Sequence, residues 1–279
     1  MPRSSVSPYL PPETDPESDL AVAHLLADAA RGPALRHFRA PDLAADDKSG
    51  GGAYDPVTAA DREAETAMRQ LLARLRPRDA ILGEEHGAAA GASGRRWVLD
   101  PIDGTRAYVI GAASWGVLVA LEENGAPALG VIDQPYVDER FWGDGARAWH
   151  RRGAEGATRA LAVSGVRDLA RARLCTTFPE VGTAAERAAF EAVRDKARLT
   201  RYGLDCMAYA LLAAGHVDLV IEAGLKPYDV QALVPVLRGA GATVSGWRGD
   251  DAPGAEGRVL AAATPELHRA ALALMQAAL

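Results

Sequence analysis

Apolar residues recur at helical spacing from about residue 17 to Phe38, where Leu20, Ala23, Leu25, Leu26, Ala30 and Leu35 make one stripe and predict a first helix. A polar, Gly-rich connection containing Lys48 follows, from Pro41 to Gly52. A second helical pattern (Ala64, Ala67, Met68, Leu71, Leu72, Leu75) comes after Asp55-Pro-Val-Thr-Ala-Ala-Asp61. Thr58 is placed to cap it, with Asp61 three residues on as in a capping box. Ala80 to Gly83 reads as a short strand that breaks into a loop carrying Glu84 and Glu85. The Ala/Gly stretch after Gly87, to Gly94, has little to anchor it, so mobility is expected there. Trp97-Val-Leu99 is the apolar run of a buried strand. Trp115 to Leu121 and Ala128 to Gln134 flank Asn124-Gly125, a strong hairpin signal. Arg140-Phe-Trp142 and Ala146 to His150 suggest a second hairpin around Gly143-Asp-Gly145.

Beyond Val163 the texture changes. Short strands (around Leu174–Phe178, Leu199–Tyr202, Val217–Glu222, Thr243–Trp247 and Arg258–Ala262) alternate with helices (Ala184–Ala197, Cys206–Ala214, Asp229–Arg238). A last helix has Thr264 as N-cap and Pro265 at its first position. With no internal repeat or linker in view, the shift divides the chain into two packed halves, 17–160 and 161–279. The stretch from Pro8 to Glu17 holds four prolines and three acids, and the segment 1–16 is expected to be a disordered lead-in.

Composition narrows the classes. Of 279 residues, 48% are apolar and 24% charged, ordinary for a soluble globular protein with ample core. A net charge of −6 gives no support for a nucleic-acid partner, which would usually show a basic patch. Cys175 and Cys206 show neither metal-ligand spacing nor a disulfide framework. No apolar run approaches the ~18–20 residues of a membrane span, and the N-terminus lacks the apolar core of a signal peptide. A soluble cytoplasmic protein is expected.

Candidate chemistry centres on Trp97-Val-Leu-Asp-Pro-Ile-Asp-Gly-Thr105. Pro101 biases Asp100 toward an extended backbone and sets its own φ, so the chain is expected to turn there and aim Asp100, Asp103 and the Ile102 carbonyl at one point. Gly104 leaves room for close approach to the backbone. Hard divalent cations bind through such carboxylates while keeping water or phosphate oxygens. Glu84 and Asp229 are two further acids at element ends. Each has a plain structural explanation as well: a solvated loop acid for Glu84, helix caps for Asp61 and Asp229. If they converge, like-charge crowding demands a cation.

Taken together, Asp55-Pro-Val-Thr-Ala-Ala-Asp61, Gly83-Glu-Glu85, the stretch 97–105 and Tyr228-Asp229 resemble the motifs of the inositol monophosphatase family, in order and spacing, over roughly residues 55–241. The resemblance implies a Mg²⁺-dependent phosphomonoesterase, binding about two or three Mg²⁺ ions with Mn²⁺ as substitute. It implies an α/β (α+β) fold, the layered αβαβα sandwich of the sugar-phosphatase superfamily, and a homodimer. In that pattern Glu84 ligates a first metal with the Ile102 carbonyl, Asp100 bridges to a second, and Asp103 and Asp229 hold the second. Asp61 and Thr105 orient and help deprotonate the attacking water, with Glu84 also counted among the catalytic residues. Gly104 and Thr105 cradle the phosphate, and Glu222 contacts a substrate hydroxyl or serves only as a polar strand end.

The chain departs from the common pattern at Tyr108, Tyr228 and Gly241-Ala242, none a proposed ligand. A more informative departure is Arg201-Tyr-Gly-Leu-Asp-Cys206. Asp205 stands where inositol-type members carry a small residue, and resembles the histidinol-phosphatase branch. A second acid beside Glu222 would attract the ammonium of histidinol phosphate by a charge-assisted hydrogen bond. Alternatively, Asp205 caps the helix it precedes. Three functions follow as expectations. They are a histidinol-phosphatase, an inositol-1-monophosphatase or broad small-phosphomonoester phosphatase, and a catalytically silent binding protein on the same scaffold.

Overall fold

The computed structural model describes residues 6–49, 55–178, 180, 182–251, 253–254 and 256–279. In chain order, helix α1 (Asp19–His37) is followed by the hairpin strands β1 (Ala45–Asp47) and β2 (Pro56–Thr58), then helix α2 (Ala59–Leu75). Strands β3 (Ala80–Gly83), β4 (Gly87–Ala89) and β5 (Arg95–Asp103) precede the short helix α3 (Thr105–Val109). A meander follows: β6 (Gly116–Glu123), β7 (Ala126–Gln134), β8 (Glu139–Gly143), β9 (Ala148–Arg152) and β10 (Arg159–Ala160). The remaining chain runs β11 (Arg173–Thr176), α4 (Ala184–Arg194), β12 (Leu199–Tyr202), α5 (Cys206–Ala213), β13 (Leu219–Ala223) and α6 (Pro227–Val230). It ends with α7 (Leu233–Gly239), β14 (Thr243–Ser245), β15 (Arg258–Ala262) and α8 (Pro265–Ala278).

Two sheets form. The larger has eight strands in the order β10-β9-β8-β7-β6-β5-β3-β4, antiparallel except where β3 runs parallel to β5. The smaller has the order β12-β11-β13-β15-β14 and is mixed, β11 lying parallel to both neighbours. Alternation along each strand decides what covers its faces. Trp97 and Leu99 of β5 point to one side, where they pack with Val22, Leu26, Met68 and Leu72 of α1 and α2. Val98 points to the other, joining Leu212 and Val236 of α5 and α7, and these helices in turn meet Val220 and Ala261 of the second sheet. Phe190 and Met275 of α4 and α8 cover that sheet's far face with Leu219 and Leu260. The result is the expected αβαβα sandwich.

Several local expectations are corrected. The predicted helix 229–238 is two helices, because Pro235 cannot donate to the Gln231 carbonyl and a new first turn begins at Leu233, where a missing N–H is tolerated. The stretch to Gly94 is tied down: β4 pairs with β3, and the amides of Ala92 and Ser93 donate to the Arg78 carbonyl. Within the expected lead-in, residues 1–5 lie outside the described residues, whereas 6–16 are ordered. Tyr9 is 4% exposed, held between the guanidinium groups of Arg31 and Arg140 at 4.4 and 4.2 Å, with its hydroxyl bonded to Asp138. One aromatic anchor overrides the proline-rich composition around it. Part of the 41–52 connection, from residue 50, is likewise outside the described residues. Among the described residues no helix is long and apolar enough to cross a membrane.

The second sheet is fastened at the foot of β13 by Asp218. Its fully buried carboxylate accepts from the Arg173 amide (2.8 Å), from Arg173 Nε and Nη2 (2.7 and 2.8 Å), and from the Ser164 hydroxyl. Burial alone would raise its pKa, but these donors hold it below the usual carboxylate value. A depressed carboxylate stabilises the fold above its unfolded pKa, and that contribution is lost as pH falls through the folded value. Asp218→Ala is therefore expected to cost about 2–4 kcal/mol at neutral pH, Arg173 being partly in water. Denaturant melts at neutral pH and near pH 3 check this, and the deficit should shrink in acid.

Candidate active site

β5 carries the centre of the site through an irregularity in its ladder. Asp100 pairs with Leu118 of β6 and Asp103 with Gly116, so three steps on β5 oppose two on β6. In a regular strand, residues three apart face opposite sides. The extra residue, next to Pro101, which has no N–H to donate, bulges the strand and returns both carboxylates to the same side. The strand thus continues through Asp103, where the sequence suggested a sharp turn at Pro101. Asp100 is 1% exposed, and one of its oxygens accepts from the Ile102 amide at 3.0 Å.

Asp229 arrives from the other half. It occupies the third position of α6, with one oxygen capping that helix by accepting from the Lys226 amide at 2.7 Å. Asp103 accepts from the Cys206 amide at 2.7 Å, at the start of α5. Asp100, Asp103 and Asp229 each offer an oxygen, and these atoms all lie within 4.8 Å of one another. Burial, and then their mutual repulsion with Glu84 and Asp205, drives Asp100 and Asp103 well above the carboxylate range. Asp229 is pushed up to about 7 by burial, with its bond from Lys226 opposing. Three acids this crowded repel unless protonated or neutralised by a cation.

Glu84 stands beside this trio at the end of β3, its amide bonded to the Leu99 carbonyl at 3.2 Å. Burial raises its pKa and Lys48 opposes, the ammonium lying 2.9 Å from Glu84 Oε1 and 2.8 Å from Glu85 Oε1. On the opposite flank, Thr105 Oγ1 lies 3.1 Å from the Ile102 carbonyl oxygen and 3.3 Å from Asp61 Oδ1. Asp61 does cap α2: its Oδ2 accepts from the amide and hydroxyl of Thr58 at 2.8 and 2.5 Å. Oδ1 faces Thr105. Capping and placement in the site are two uses of one carboxylate, and the same holds for Asp229.

Asp205 behaves differently. It precedes α5 but makes no side-chain cap there; its backbone is at φ 49°, ψ −141°, rare for a residue with a side chain. Its carboxylate accepts from Ser114 Oγ at 3.0 Å instead, and its amide donates to Thr177 Oγ1 at 3.1 Å. It also lies against Gly104: a Cβ there would meet Asp205 Cγ at 2.7 Å, and Gly104 is at φ 82°, so both space and conformation require glycine. Glu222, 7% exposed at the end of β13, accepts from the Thr177 amide at 2.7 Å and the Tyr209 hydroxyl at 2.9 Å. Thr177 thus bonds both acids. Burial raises the pKa of each, opposed at Asp205 by Ser114 and Arg106, and at Glu222 by Thr177 and Tyr209.

Ser114, Thr177 and Tyr209 were not singled out from the sequence, Glu85 was read only as the acid next to Glu84, and Lys48 only as part of a polar connection. Only Glu85 carried a local signal, its adjacency to Glu84. The others act through contacts between distant segments that leave no spacing to read.

Comparison with known proteins agrees with this architecture. The sequence profile of the Inositol monophosphatase family matches residues 15–279. The chain is 40% identical over 280 residues to the bifunctional phosphatase IMPL2, chloroplastic, of Arabidopsis thaliana, covering 96% of this chain and 78% of that protein. It is 37% identical over 239 residues to the histidinol-phosphatase of Mycobacterium tuberculosis, covering 84% and 90%. Among solved structures, an inositol monophosphatase from Zymomonas mobilis superposes with a TM-score of 0.81 at 41% identity, covering 95% of this chain and 100% of that one. With the fold, the motif order and the family profile in agreement over nearly the whole chain, this protein belongs to the inositol monophosphatase family.

Proposed function

We propose that this phosphatase is a Mg²⁺-dependent histidinol-phosphatase, releasing phosphate from L-histidinol phosphate in histidine biosynthesis and working as a cytoplasmic homodimer. The observation that carries the substrate choice is Asp205. A strained backbone and an uncapped helix are tolerated so that its carboxylate faces the site beside Glu222, and strain of this kind clusters at functional positions. Two acids on one wall suit an ammonium better than the neutral hydroxyls of inositol. The similarity to a histidinol-phosphatase supports the same choice. An inositol-1-monophosphatase is the second reading, favoured by the likeness to the Zymomonas mobilis protein.

The donor set fits a hard divalent cation: carboxylates at Asp100, Asp103 and Asp229 converge within 4.8 Å, and Glu84 and the Ile102 carbonyl adjoin them. These residues would hold the metal. Bound Mg²⁺ supplies positive charge to phosphate oxygens and makes water more acidic. The chain's own part is positioning and proton transfer. Thr105 Oγ1, within reach of both the Ile102 carbonyl and Asp61 Oδ1, orients the attacking water. Asp61, whose pKa burial raises against the Thr58 bonds, is suited to take its proton at Oδ1. Water adds to phosphorus, the ester P–O bond breaks, and the leaving oxygen takes a proton from solvent and departs as the alcohol, while Asp61 returns its proton to solvent. Gly104 and Thr105 line the phosphate side, and Glu222 with Asp205 the alcohol side.

A substrate panel with and without Mg²⁺ tests the proposal. The expected result is hydrolysis only with Mg²⁺ or Mn²⁺, and a higher kcat/KM on histidinol phosphate than on inositol 1-phosphate. The reverse preference would select the second reading, and absence of turnover on every phosphomonoester would leave a binding protein. Thermal melts give an independent check. Saturating Mg²⁺ at about 100 times its Kd should stabilise the chelator-treated protein by about 2.7 kcal/mol, a rise in Tm of roughly 5–10 °C. An unmoved Tm would count against a metal centre here.

A further inference from the structure

Glu65 and Arg69 sit four apart on α2, the spacing at which helix side chains meet. The structure buries Glu65 completely. Its Oε2 accepts from the Glu85 amide at 2.7 Å, and its Oε1 from the His86 amide at 3.2 Å and from Arg69 Nε at 2.6 Å. The far end of Arg69 donates to the Gly87 carbonyl. One carboxylate–guanidinium pair therefore grips three successive residues of the turn that follows Glu84. Gly83 belongs to the same arrangement. Its φ lies outside the left-handed region, so its backbone does not demand glycine; a Cβ there would run into the Glu65 carboxylate.

We infer that Glu65 is a positioning residue for the metal centre: its buried carboxylate sets the turn 84–86 so that Glu84 faces Asp100. The inference rests on the reading of Glu84 as a metal ligand. β5 fixes the turn on one side through the Glu84 amide, and α2 fixes it on the other through Glu65. Between these anchors the Glu84 side chain has little freedom of direction. Groups one step removed from a metal commonly control its affinity by orienting the ligands.

The experiment uses Glu65→Gln and Gly83→Ala in the full chain. The first removes the charge that the two amides and Arg69 share; the second keeps both side chains but pushes the carboxylate off the amides. Calorimetric titration of the chelator-treated protein with Mn²⁺ alone reads affinity directly, and melts report folding. Both variants should fold and bind Mn²⁺ about 10–100-fold more weakly. The Mg²⁺ concentration for half-maximal activity should rise in parallel, with KM at saturating Mg²⁺ unchanged. A residue that only fastened α2 to the sheet would lower Tm without moving either metal reading. Wild-type Mn²⁺ affinity in the folded variants would overturn the inference, as would failure of both to fold, which would make Glu65 a residue of the fold alone. Glu84→Gln, titrated alongside, separates the two layers: wild-type affinity there would defeat the ligand assignment itself.

Discussion

Asp100→Asn is expected to lower kcat/KM on any phosphomonoester by at least about 10³-fold, the loss of several kcal/mol of charge stabilisation, while the protein stays folded. The two side chains are nearly isosteric. An asparagine oxygen can still accept from the Ile102 amide, so the bulge of β5 survives. What disappears is one negative charge from a cluster in which Asp100, Asp103 and Asp229 already crowd within 4.8 Å. A second sign distinguishes this from simple damage. Removing a buried, repelled carboxylate should make the metal-free protein more stable than wild type, because Asp100 is held in its ionised form only at a cost. The stabilisation that Mg²⁺ confers should fall at the same time. Steady-state kinetics and paired melts with and without Mg²⁺ check all three, and retained turnover would remove Asp100 from the centre.

The second large effect concerns choice of substrate. Asp205→Ala is expected to reduce kcat/KM on histidinol phosphate about 10–100-fold, the range for losing one charge-assisted hydrogen bond. The loss on inositol 1-phosphate should be much smaller. Ser114 would lose its acceptor, a modest and substrate-independent cost. Asp205→Gly sharpens the test, since glycine is at ease where φ is 49°. That variant should gain about 1 kcal/mol of stability or more from relieved strain while showing the same selective loss. Equal losses on both substrates would strip Asp205 of its role in selection and leave it a residue of local structure.

Much of the layered fold was legible because alternation and helical periodicity are local. Trp97, Val98 and Leu99 announce a strand buried on both faces, Asn124-Gly125 announces a hairpin, and Thr58 with Asp61 announces the start of α2. The acids at 84, 100, 103 and 229 were visible too, as carboxylates at the ends of elements. Their convergence was expected from a turn at Pro101 and from the family resemblance, and strand periodicity alone argued against it. Odd spacing places Asp100 and Asp103 on opposite faces of an ideal strand, and only the bulge reconciles them. Asp61 and Asp229 read equally well as caps, and the structure has each using one oxygen to cap and the other to face the site.

By itself, then, the amino-acid order determined most of the segments that become strands and helices and which acids stand near their ends, because such preferences are settled within a few residues. Tertiary structure decided what the ends meet. Glu65 under the Glu84 turn, Lys48 between Glu84 and Glu85, Thr177 joining Asp205 to Glu222, and Tyr9 clasped by two arginines are contacts across tens to more than a hundred residues. Hydrogen bonds and ion pairs of this kind depend on direction and distance in space, and no periodicity along the chain records them.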